Sequence, residues 1–545
     1  MPSSNTLMQA IDDPRGIPVT QWIATLTAIG VVILVGQALR ARRMLSEVKN
    51  LPGVKYFLST QSMLTVFFPY IPYVNPGWVY IPFPVYKAYN SDVVTVTGLF
   101  PRPTVILCVA DASVAKEIAM NRAAFPKPVE LYSSIDVYGP NVVSLEGDEW
   151  KMHRKITAPS FNERNNRLVF DETTKITLEL FALWGKNDNK PVTVTNMVNV
   201  MEKFTLMVIA RAAFAIEFGW EEDKAERPKG RTHSFSGALR TILEHLLLRI
   251  ALPDSILGLW KSGRETRSAF REFKARRSDY MLEVIEERRI NPEGRQRADV
   301  LSNMLDAVAE EAERKELGAY SFGDTEMLRN MFIFLLAGHE TTAHSLSFVL
   351  ALLAVHQDVQ EAAYQSLQKL VPIGESLSYS HITKWTYGLA IFYEALRLFP
   401  PVTSIPKYAA ESTSITTYSN DGQNTPVVIP VPKGTVVNIS MLGLHYNPKY
   451  WSDPYRFNPE RFLGEYNKDA FFPFASGPRA CMGRRFGEIE AVTFIAQLVH
   501  TYRFTAAEGP PNETQEQLER RLLEWKLGIP TLHPVKVPLT FTRRI

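Results

Sequence analysis

The 545-residue sequence predicts a mainly α-helical α+β protein with small β-sheets, preceded by one transmembrane helix. Two observations favour this class. From about Trp150 to Ala410 the apolar residues recur with the period of a helix, in long segments broken near Gly219, Pro253 and Pro292. Short alternating runs and proline-rich turns occupy much of the remainder, which predicts small sheets around a helical body.

The first predicted element is an apolar segment near the N-terminus. Trp22–Leu39 is almost wholly apolar and long enough to cross a bilayer as a helix. Arg40, Arg42 and Arg43 follow it, whereas the preceding flank is acidic. The positive-inside rule therefore predicts a short lumenal N-terminus at 1–21 and a cytosolic remainder. A cleaved signal peptide is the alternative, but its first region should be basic.

The next elements lead into one large domain. Residues 40–65 are predicted to form a basic flank and a proline hinge, and residues 66–545 the cytosolic body. Alternation in Val93–Thr97 and in Val105–Val109 predicts a β-hairpin. Asp111 follows the second run and is placed to cap a short helix.

Composition excludes several classes of function. The net charge is +3 and the charges are mixed along the whole chain, so no nucleic-acid partner is expected. The two cysteines, Cys108 and Cys481, cannot form a disulfide framework and are too few for a cysteine-rich zinc site. Cys108 lies in an apolar run and is predicted to pack in the core of a strand.

A long helix is predicted from about Asp324 to His356, spanning about 48 Å. In its middle Gly338 lowers helix propensity, and two adjacent threonines bring hydroxyls that can bond back to the backbone. An acid and an alcohol, Glu340 and Thr341, stand beside this weakened turn. Together they can hold water and relay protons, as the activation of dioxygen requires.

The same stretch invites comparison with the zinc motif H-E-x-x-H. His339 and Glu340 match its start, but the next histidine is His344, five residues further on rather than four. The two imidazoles would then stand about 140° apart around the helix and could not share one zinc ion. The sequence therefore excludes a metalloprotease site here.

Cys481 lies in the stretch Phe474–Gly483, FASGPRACMG, just before a segment that is predicted to be helical. Backbone N–H groups at a helix N-terminus favour a thiolate, and Gly477 and Gly483 let the backbone approach closely. Arg479 is placed to pair with an anionic propionate. These residue types suit a haem iron held by one axial sulfur; the alternative is a buried cysteine in a packed loop.

The segment Phe474–Gly483 resembles the haem-binding signature of the cytochrome P450 family, F-x-x-G-x-R-x-C-x-G, at every fixed position. The stretch Ala337–Thr342 resembles the family's oxygen-binding kink, A-G-x-[DE]-T, and the resemblance extends from roughly Leu51 to the C-terminus. It implies the cytochrome P450 fold and heme b. The residues implied are Cys481 as axial ligand, Phe474, Arg479, Gly483 and Ala337 beside the haem, and Glu340 and Thr341 as the catalytic pair that delivers protons.

Two further pairs resemble family elements. Glu394 and Arg397 share a helix face and resemble E-x-x-R, while Arg461 stands in a P-E-R-F element. By that resemblance the three form a partly buried charge network with a structural role. Trp150 and Arg154 also share a helix face and resemble the W-x-x-x-R that meets a haem propionate.

One position departs from the family pattern. Downstream of Pro400 and Pro401 the family often has an arginine aimed at a propionate, and the corresponding residue here is Lys407. A lysine can neutralise that charge, but it cannot form the two forked hydrogen bonds of a guanidinium. The contact implied for Lys407 is therefore weaker.

The resemblance implies a haem-dependent monooxygenase that inserts one oxygen atom of O2 by hydroxylation or epoxidation. The substrate would be a lipophilic small molecule such as a terpenoid, a fatty acid or another secondary metabolite. Electrons would come from an NADPH-cytochrome P450 reductase, with cytochrome b5 as a second candidate donor, and Arg484 and Arg485 are candidates for that contact. The implied location is the endoplasmic reticulum membrane, with a single pass and the catalytic domain in the cytosol; the overall style is similar to fungal members.

Two alternatives remain open at this point. A haem-thiolate isomerase or dehydratase would rearrange a hydroperoxide without O2, but such enzymes usually lack the acid and alcohol pair that Glu340 and Thr341 supply. A non-enzymatic, membrane-anchored haem sensor or carrier is the other alternative. Turnover separates it from an enzyme.

Overall fold

The computed structural model describes residues 19–60, 62, 65, 71–75, 82–185, 190–221, 237, 241–242, 245, 252, 254–274, 280–291, 297–313, 322–372, 375–527 and 531–544. In this part of the chain there are 17 α-helices and four small β-sheets, which confirms the predicted helix-rich class. The predicted breaks at Pro253 and Pro292 lie outside the described residues.

The α-helices are α1 (Val19–Glu47), α2 (Phe83–Tyr89), α3 (Ala112–Met120), α4 (Gly147–Thr157), α5 (Glu163–Trp184), α6 (Met197–Phe214), α7 (Asp254–Leu257), α8 (Lys261–Lys274), α9 (Tyr280–Ile290), α10 (Val300–Glu313), α11 (Asp324–Val355), α12 (Gln357–Gln368), α13 (Tyr379–Lys384), α14 (Thr386–Leu398), α15 (Met441–His445), α16 (Arg484–Thr501) and α17 (Gln515–Leu522).

The strands are β1 (Gly53–Leu58), β2 (Val93–Phe100), β3 (Thr104–Val109), β4 (Val192–Val194), β5 (Ser404–Tyr408), β6 (Thr413–Tyr418), β7 (Pro426–Val431), β8 (Val436–Ser440), β9 (Tyr502–Ala506), β10 (Trp525–Leu527), β11 (Leu532–Pro534) and β12 (Leu539–Arg543). Short 3₁₀ turns include Pro459–Phe462 and Gly477–Arg479.

The chain forms two compact units, each built from two stretches of sequence. The first unit comprises Met1–Pro126 and Ser404–Asn447, and the second comprises Lys127–Thr403 and Pro448–Ile545. The predicted segments 1–21, 22–39, 40–65 and 66–545 stay predictions.

The first unit begins with α1, the predicted membrane segment. The helix is long and apolar enough to cross a membrane, and the side chains of its apolar stretch are exposed. It runs past the predicted end at Leu39 as far as Glu47, so the arginines lie within it. Its C-terminal part packs on the first unit: Ala41 is buried, and Gln37 Nε2 donates to Pro101 O at 2.9 Å. The helix is thus an extension of a folded unit.

The five-stranded sheet of the first unit has the order β1-β2-β3-β8-β5. Strands β2 and β3 are antiparallel neighbours, which confirms the predicted hairpin, and Cys108 is buried on β3 as expected. Asp111 caps α3, its Oδ1 accepting hydrogen bonds from Ser113 N at 2.9 Å and Val114 N at 3.1 Å. Strands β6 and β7 form a separate antiparallel pair.

The second unit is organised around α11, whose 32 residues confirm the predicted long helix. It stays helical through Gly338. Helix α6 packs along it there: a Cβ on Gly338 would lie 3.1 Å from Ile209 Cδ1, and Thr205 Oγ1 donates to His339 O at 3.0 Å. On the other side of α6, Phe204 packs against Phe494 of α16 with ring centroids 4.6 Å apart.

Two small sheets complete the second unit. One has the order β4-β12-β9, and the other is the antiparallel pair β10 and β11. Thr531 precedes β11 and is almost fully buried. This hairpin contacts α11 and brings side chains from near the C-terminus to the middle of that helix.

Candidate active site

The loop before α16 holds Cys481 in a fixed position. Gly477 has a φ of +72°, a conformation that favours glycine, and it begins a 3₁₀ turn. Beyond that turn, Cys481 N donates to Phe474 O at 2.9 Å. Gly483 then caps α16, which begins at Arg484. Cys481 therefore stands just before a helix N-terminus, where the sequence placed it.

Cys481 keeps an exposed surface, although its sulfur has many protein atoms around it. That enclosure raises the pKa of Cys481 above its ordinary value, against the opposing effects of the Gly483 N–H and the Arg154 and Arg484 charges. The lowered pKa expected of a metal-bound Cys481 stays a prediction, and the helix terminus and the two arginines act in that direction. Metal coordination deprotonates a thiol outright and would supply what the helix does not.

Two of the predicted haem contacts come from α4. Arg154 lies next to the cysteine loop, where its Nη1 donates to Ala480 O at 3.1 Å. Trp150 is buried one helical turn earlier, and the Arg479 guanidinium lies over its ring, 4.1 Å from the ring centroid. The structure thus brings Trp150, Arg154 and Arg479 together beside the loop.

Arg479 has a carboxylate partner that the sequence did not reveal. Its Nη2 lies 2.7 Å from Glu146 Oε2 and also donates to Leu145 O at 2.6 Å. Burial raises the pKa of Glu146, but hydrogen bonds from Arg479 and from backbone N–H groups outweigh it and hold that pKa below its usual range. A charged Arg479 and Glu146 therefore neutralise one another.

The predicted charge network is present and more buried than expected. Arg397 and Glu394 have fully buried side chains and form two hydrogen bonds, at 2.7 and 2.8 Å. Arg461 Nε donates to the same carboxylate at 3.0 Å, as does Asn458 N at 2.9 Å. Arg397 Nη1 also donates to Pro454 O at 2.7 Å. One buried carboxylate thus ties α14 to the segment that leads toward the cysteine loop.

A second link joins α14 to α16. Tyr393 Oη donates to Glu488 Oε1 at 2.5 Å and accepts from Arg484 Nη2 at 2.8 Å. Glu488 also pairs with Arg484 and Arg485, at 2.8 and 3.2 Å. These two arginines keep 51% and 43% of their side-chain surface exposed. Glu488, which the sequence analysis did not single out, therefore anchors both of them.

The residues predicted to lie on the oxygen side of the haem are accessible, although most of α11 around them is buried. Ala337 is exposed and Glu340 and Thr341 are partly exposed, although Leu336 before them is buried. Thr341 Oγ1 donates to Ala337 O at 2.7 Å, which is the bond back to the helix that the sequence predicted. These three residues are therefore accessible on a stretch of helix that is otherwise mostly buried.

Glu340 has a partner from the β10–β11 hairpin. The Thr531 hydroxyl donates to Glu340 Oε1 and also lies 3.0 Å from His344 Nδ1. Burial raises the pKa of Glu340, while His344 and Thr531 partly oppose that rise. Among the described residues there is no group of three or more histidine, cysteine, aspartate or glutamate side chains that could hold a metal ion.

Aromatic and small residues bring α11 against the cysteine loop. An ideal Cβ on Gly483 would lie 4.0 Å from Phe161, whose ring packs edge-on against Phe334 of α11 at 5.3 Å. Gly487 of α16 similarly lies against Thr342, with 3.8 Å from its ideal Cβ to Oγ1. The oxygen-side helix and the cysteine loop therefore meet within the second unit.

Lys407 belongs to the first unit. It is buried on β5, opposite Val437 of β8. Its implied contact with a propionate stays a prediction.

The residues of the second unit fit a haem. The group needs an accessible sulfur ligand, cationic partners for its propionates and a small residue on the helix that faces it. Cys481 is accessible, Arg154 lies beside its loop, and Ala337 is exposed on a helix that is otherwise buried. These residues therefore supply what binding of a haem requires.

Comparison with known proteins identifies the family. The model of the family "Cytochrome P450" matches residues 81–527. The chain is 41% identical over 513 residues to cytochrome P450 monooxygenase 124 of Postia placenta, covering 92% of this chain and 96% of the relative. It is 26% identical over 451 residues to cytochrome P450 3A2 of Rattus norvegicus, covering 80% and 82%. The fold matches the crystal structure of the cytochrome P450DA heme domain with a TM-score of 0.67 at 22% identity, covering 85% and 92%.

The chain therefore belongs to the cytochrome P450 family. Its fold is the cytochrome P450 fold, and it is a haem-dependent monooxygenase, as the sequence predicted. Membership also implies the use of O2, of a redox partner and of lipophilic substrates.

Proposed function

We propose that the chain binds heme b through the Cys481 thiolate and oxidises a lipophilic small molecule by hydroxylation or epoxidation. In a hydroxylation the substrate C–H becomes C–OH, one oxygen atom of O2 leaves as water, and two electrons and two protons are consumed. When bound, the haem supplies the iron at which dioxygen is reduced and split, and a thiolate ligand favours that cleavage. The observation that carries the proposal is the accessible Cys481 thiol at the start of α16.

Glu340 and Thr341 are the proposed source of protons. The Thr341 hydroxyl donates its proton to Ala337 O, so its oxygen is left to accept a hydrogen bond from the open side of α11. Burial raises the pKa of Glu340, which makes this carboxyl a better proton carrier near neutral pH than an exposed glutamate. Their adjacent positions on one turn support transfer from Glu340 Oε to a group held by Thr341 Oγ1.

The two arginines proposed to contact the haem differ in whether a carboxylate already neutralises their charge. Arg479 is already neutralised by Glu146, whereas one Arg154 nitrogen donates to Ala480 O. Arg154 is therefore the stronger candidate for a propionate, with Trp150, Arg479 and Lys407 in supporting roles. Phe474 and Gly483 frame the sulfur, since Phe474 O fixes Cys481 N and Gly483 leaves space that a side chain would fill.

The partner and the location follow from charge and hydropathy. We assign electron donation to an NADPH-cytochrome P450 reductase, with cytochrome b5 as a second donor, acting on the face that carries Arg484 and Arg485. Half of each of these side chains stays exposed beyond the Glu488 pair, which leaves cationic surface for an acidic partner. Helix α1 would anchor the chain to the endoplasmic reticulum, with the catalytic body in the cytosol.

The thiolate assignment has a spectroscopic test. The full-length protein, reduced and exposed to carbon monoxide, should show the red-shifted Soret band of thiolate ligation, and Cys481→Ala should abolish it. Cys108→Ala is the matched control, because this second cysteine is buried on β3 and should leave the band intact. A normal band in Cys481→Ala would overturn the proposed function.

A further inference from the structure

Glu340 lies at one end of a row of hydrogen-bonding side chains that come from three elements. Next to it is the Thr531 hydroxyl, which is almost completely buried and lies between Glu340 Oε1 and His344 Nδ1. His344 is one helical turn from Glu340 on α11, and its other nitrogen, Nε2, lies 3.6 Å from Glu202 Oε1 on α6. The order is therefore Glu202, His344, Thr531, Glu340.

Exposure changes along this row. Glu202 has 34% of its side-chain surface exposed, while His344 has only 5%. At the other end Glu340 is partly exposed, on the same turn of α11 as the exposed Ala337. The row thus begins at a carboxylate that solvent reaches, passes through a buried imidazole and a buried hydroxyl, and ends at the catalytic acid of the proposed function.

We propose that Glu202, His344 and Thr531 conduct protons from solvent to Glu340. This inference rests on the proposed function, because it supplies protons for the reduction of dioxygen. A proton passes from Glu202 to His344 Nε2, His344 Nδ1 gives up its own proton to Thr531 Oγ1, and the Thr531 hydroxyl proton moves to Glu340 Oε1. Each group gains one proton and loses one, so the charge moves and no group is consumed.

The hydrogen-bond geometry permits this transfer in both resting states. When Glu340 is ionised, the Thr531 hydroxyl donates to it and accepts from His344 Nδ1. When Glu340 is protonated, it can donate to Thr531, which then donates to an unprotonated Nδ1. If Thr531 only held the hairpin against α11, one direction of these hydrogen bonds would be enough. A proton path needs both directions.

The other titratable groups around His344 do not trap the proton. The His533 ring lies 5.2 Å from the His344 ring, and burial together with the nearby His344 and Lys526 lowers the pKa of His533 to about 4. His533 is therefore neutral at physiological pH. Within the described residues, Glu202 and Glu340 are the carboxylates recorded against His344, and they are the two ends of the row.

The path is tested by comparing two oxygen sources in full-length holoprotein with reductase, using thioanisole as the probe. With NADPH and O2, forming the sulfoxide consumes two protons and releases water. Iodosylbenzene transfers one oxygen atom, leaves as iodobenzene and consumes no proton. Thr531→Val should slow the NADPH-driven reaction about tenfold and increase its solvent deuterium isotope effect. Its iodosylbenzene-driven reaction should equal that of the wild type, and Thr531→Ser should restore the NADPH-driven rate.

Two controls separate proton transfer from damage to the fold. Thr177→Val removes another fully buried hydroxyl, which donates only to the backbone of its own helix at Thr173 O, and it should change neither reaction. The infrared band of the protonated Glu340 carboxyl, identified by its loss in Glu340→Gln, gives a readout without turnover. In Thr531→Val its titration midpoint should move to higher pH, because the carboxylate loses a hydrogen-bond donor that lowers its pKa.

The possible failures are distinct. Equal NADPH-driven rates and isotope effects in wild type and Thr531→Val would overturn the path and leave the monooxygenase intact. Equal losses with both oxygen sources would also overturn it, since Thr531 would then act only on the fold. A wild-type protein without the thiolate Soret band would overturn the proposed function, and the path with it.

Discussion

At the scale of single residues, the proposed proton transfer depends on one atom, the hydroxyl oxygen of Thr341. Its hydroxyl proton is committed to Ala337 O, and the hydroxyl of Ser345 in turn donates to Thr341 O at 2.7 Å. The Thr341 side chain is therefore held in one orientation by its own helix. That orientation presents the oxygen as an acceptor, so the position of one oxygen atom is set before any ligand arrives.

We expect Thr341→Ala to divert electrons from product to hydrogen peroxide, because the oxygen atom that holds the incoming proton is lost. The measurement is the fraction of oxidised NADPH recovered as peroxide, with thioanisole as the probe. Ser347→Ala is the matched control, since this fully buried hydroxyl on the same helix donates only to Ala343 O. Unchanged coupling in Thr341→Ala would refute the assigned role.

At the scale of elements, the carboxylate of Glu394 joins α14 to the segment that leads toward the cysteine loop. It accepts hydrogen bonds from Arg397, Arg461 and the backbone of Asn458. Because its side chain is fully buried, water cannot replace a lost partner. Removing one partner of such a group leaves a buried charge uncompensated, which destabilises far more than the loss of a surface pair.

Arg397→Met should lower the free energy of unfolding by about 3–5 kcal/mol. Arg520→Met is the matched control: its pair with Glu516 is 78% and 73% exposed. That substitution should change stability by at most about 1 kcal/mol. The measurement is the denaturant midpoint followed by the thiolate Soret band. Similar midpoints for the two variants would show that the Glu394 network does not support the loop.

A residue of the site can be predicted from the sequence when its partners lie close to it along the chain. Cys481, Glu394 and Arg397 lie in short motifs whose spacing carries their geometry, so they could be assigned locally. Thr531 meets Glu340 across 191 residues, and no local pattern signals that contact. Glu146, which precedes α4, and Glu488, which lies on α16, were missed for a related reason, since an acidic residue in a sequence gives no sign of a buried partner.

The thiol pKa shows a different limit. The sequence gives the helix terminus, which favours a thiolate, but it does not give the depth at which the sulfur lies. Burial raises the pKa of Cys481, whereas the Gly483 N–H and the nearby arginines act to lower it. Helix α1 continues beyond Leu39 to Glu47 and includes the buried Ala41, a tertiary contact that hydropathy alone does not indicate.

At the scale of the whole molecule, α1 is the element that could attach the protein to a membrane. The apolar stretch is exposed, whereas the C-terminal end of the helix is packed on its own unit through Gln37 and Ala41. A membrane-bound α1 would therefore hold the first unit close to the bilayer surface. A lipophilic substrate dissolved in that bilayer would then be at high local concentration.

Deleting residues 1–36 should release the protein from membranes and leave its thiolate Soret band intact, because the deletion stops before the packed end of α1. The measurement is the distribution between pellet and supernatant after alkaline extraction, with the full-length chain as control. N-terminal sequencing of the membrane-bound protein tests the signal-peptide alternative. A mature chain that begins after Leu39 would show that the segment is cleaved and is not an anchor.

The glycine in the middle of α11 has a consequence for the proposed proton path. Gly338 lets α6 approach until Ile209 Cδ1 lies 3.1 Å from the place a Cβ would take, and Glu202 and His344 stand on these same two helices. Gly338 therefore contributes to the close approach of the two helices that carry the first gap a proton must cross. A methyl group at this position would require Ile209 to give way by a few tenths of an ångström, and any part of that shift taken up by the helices would widen the gap.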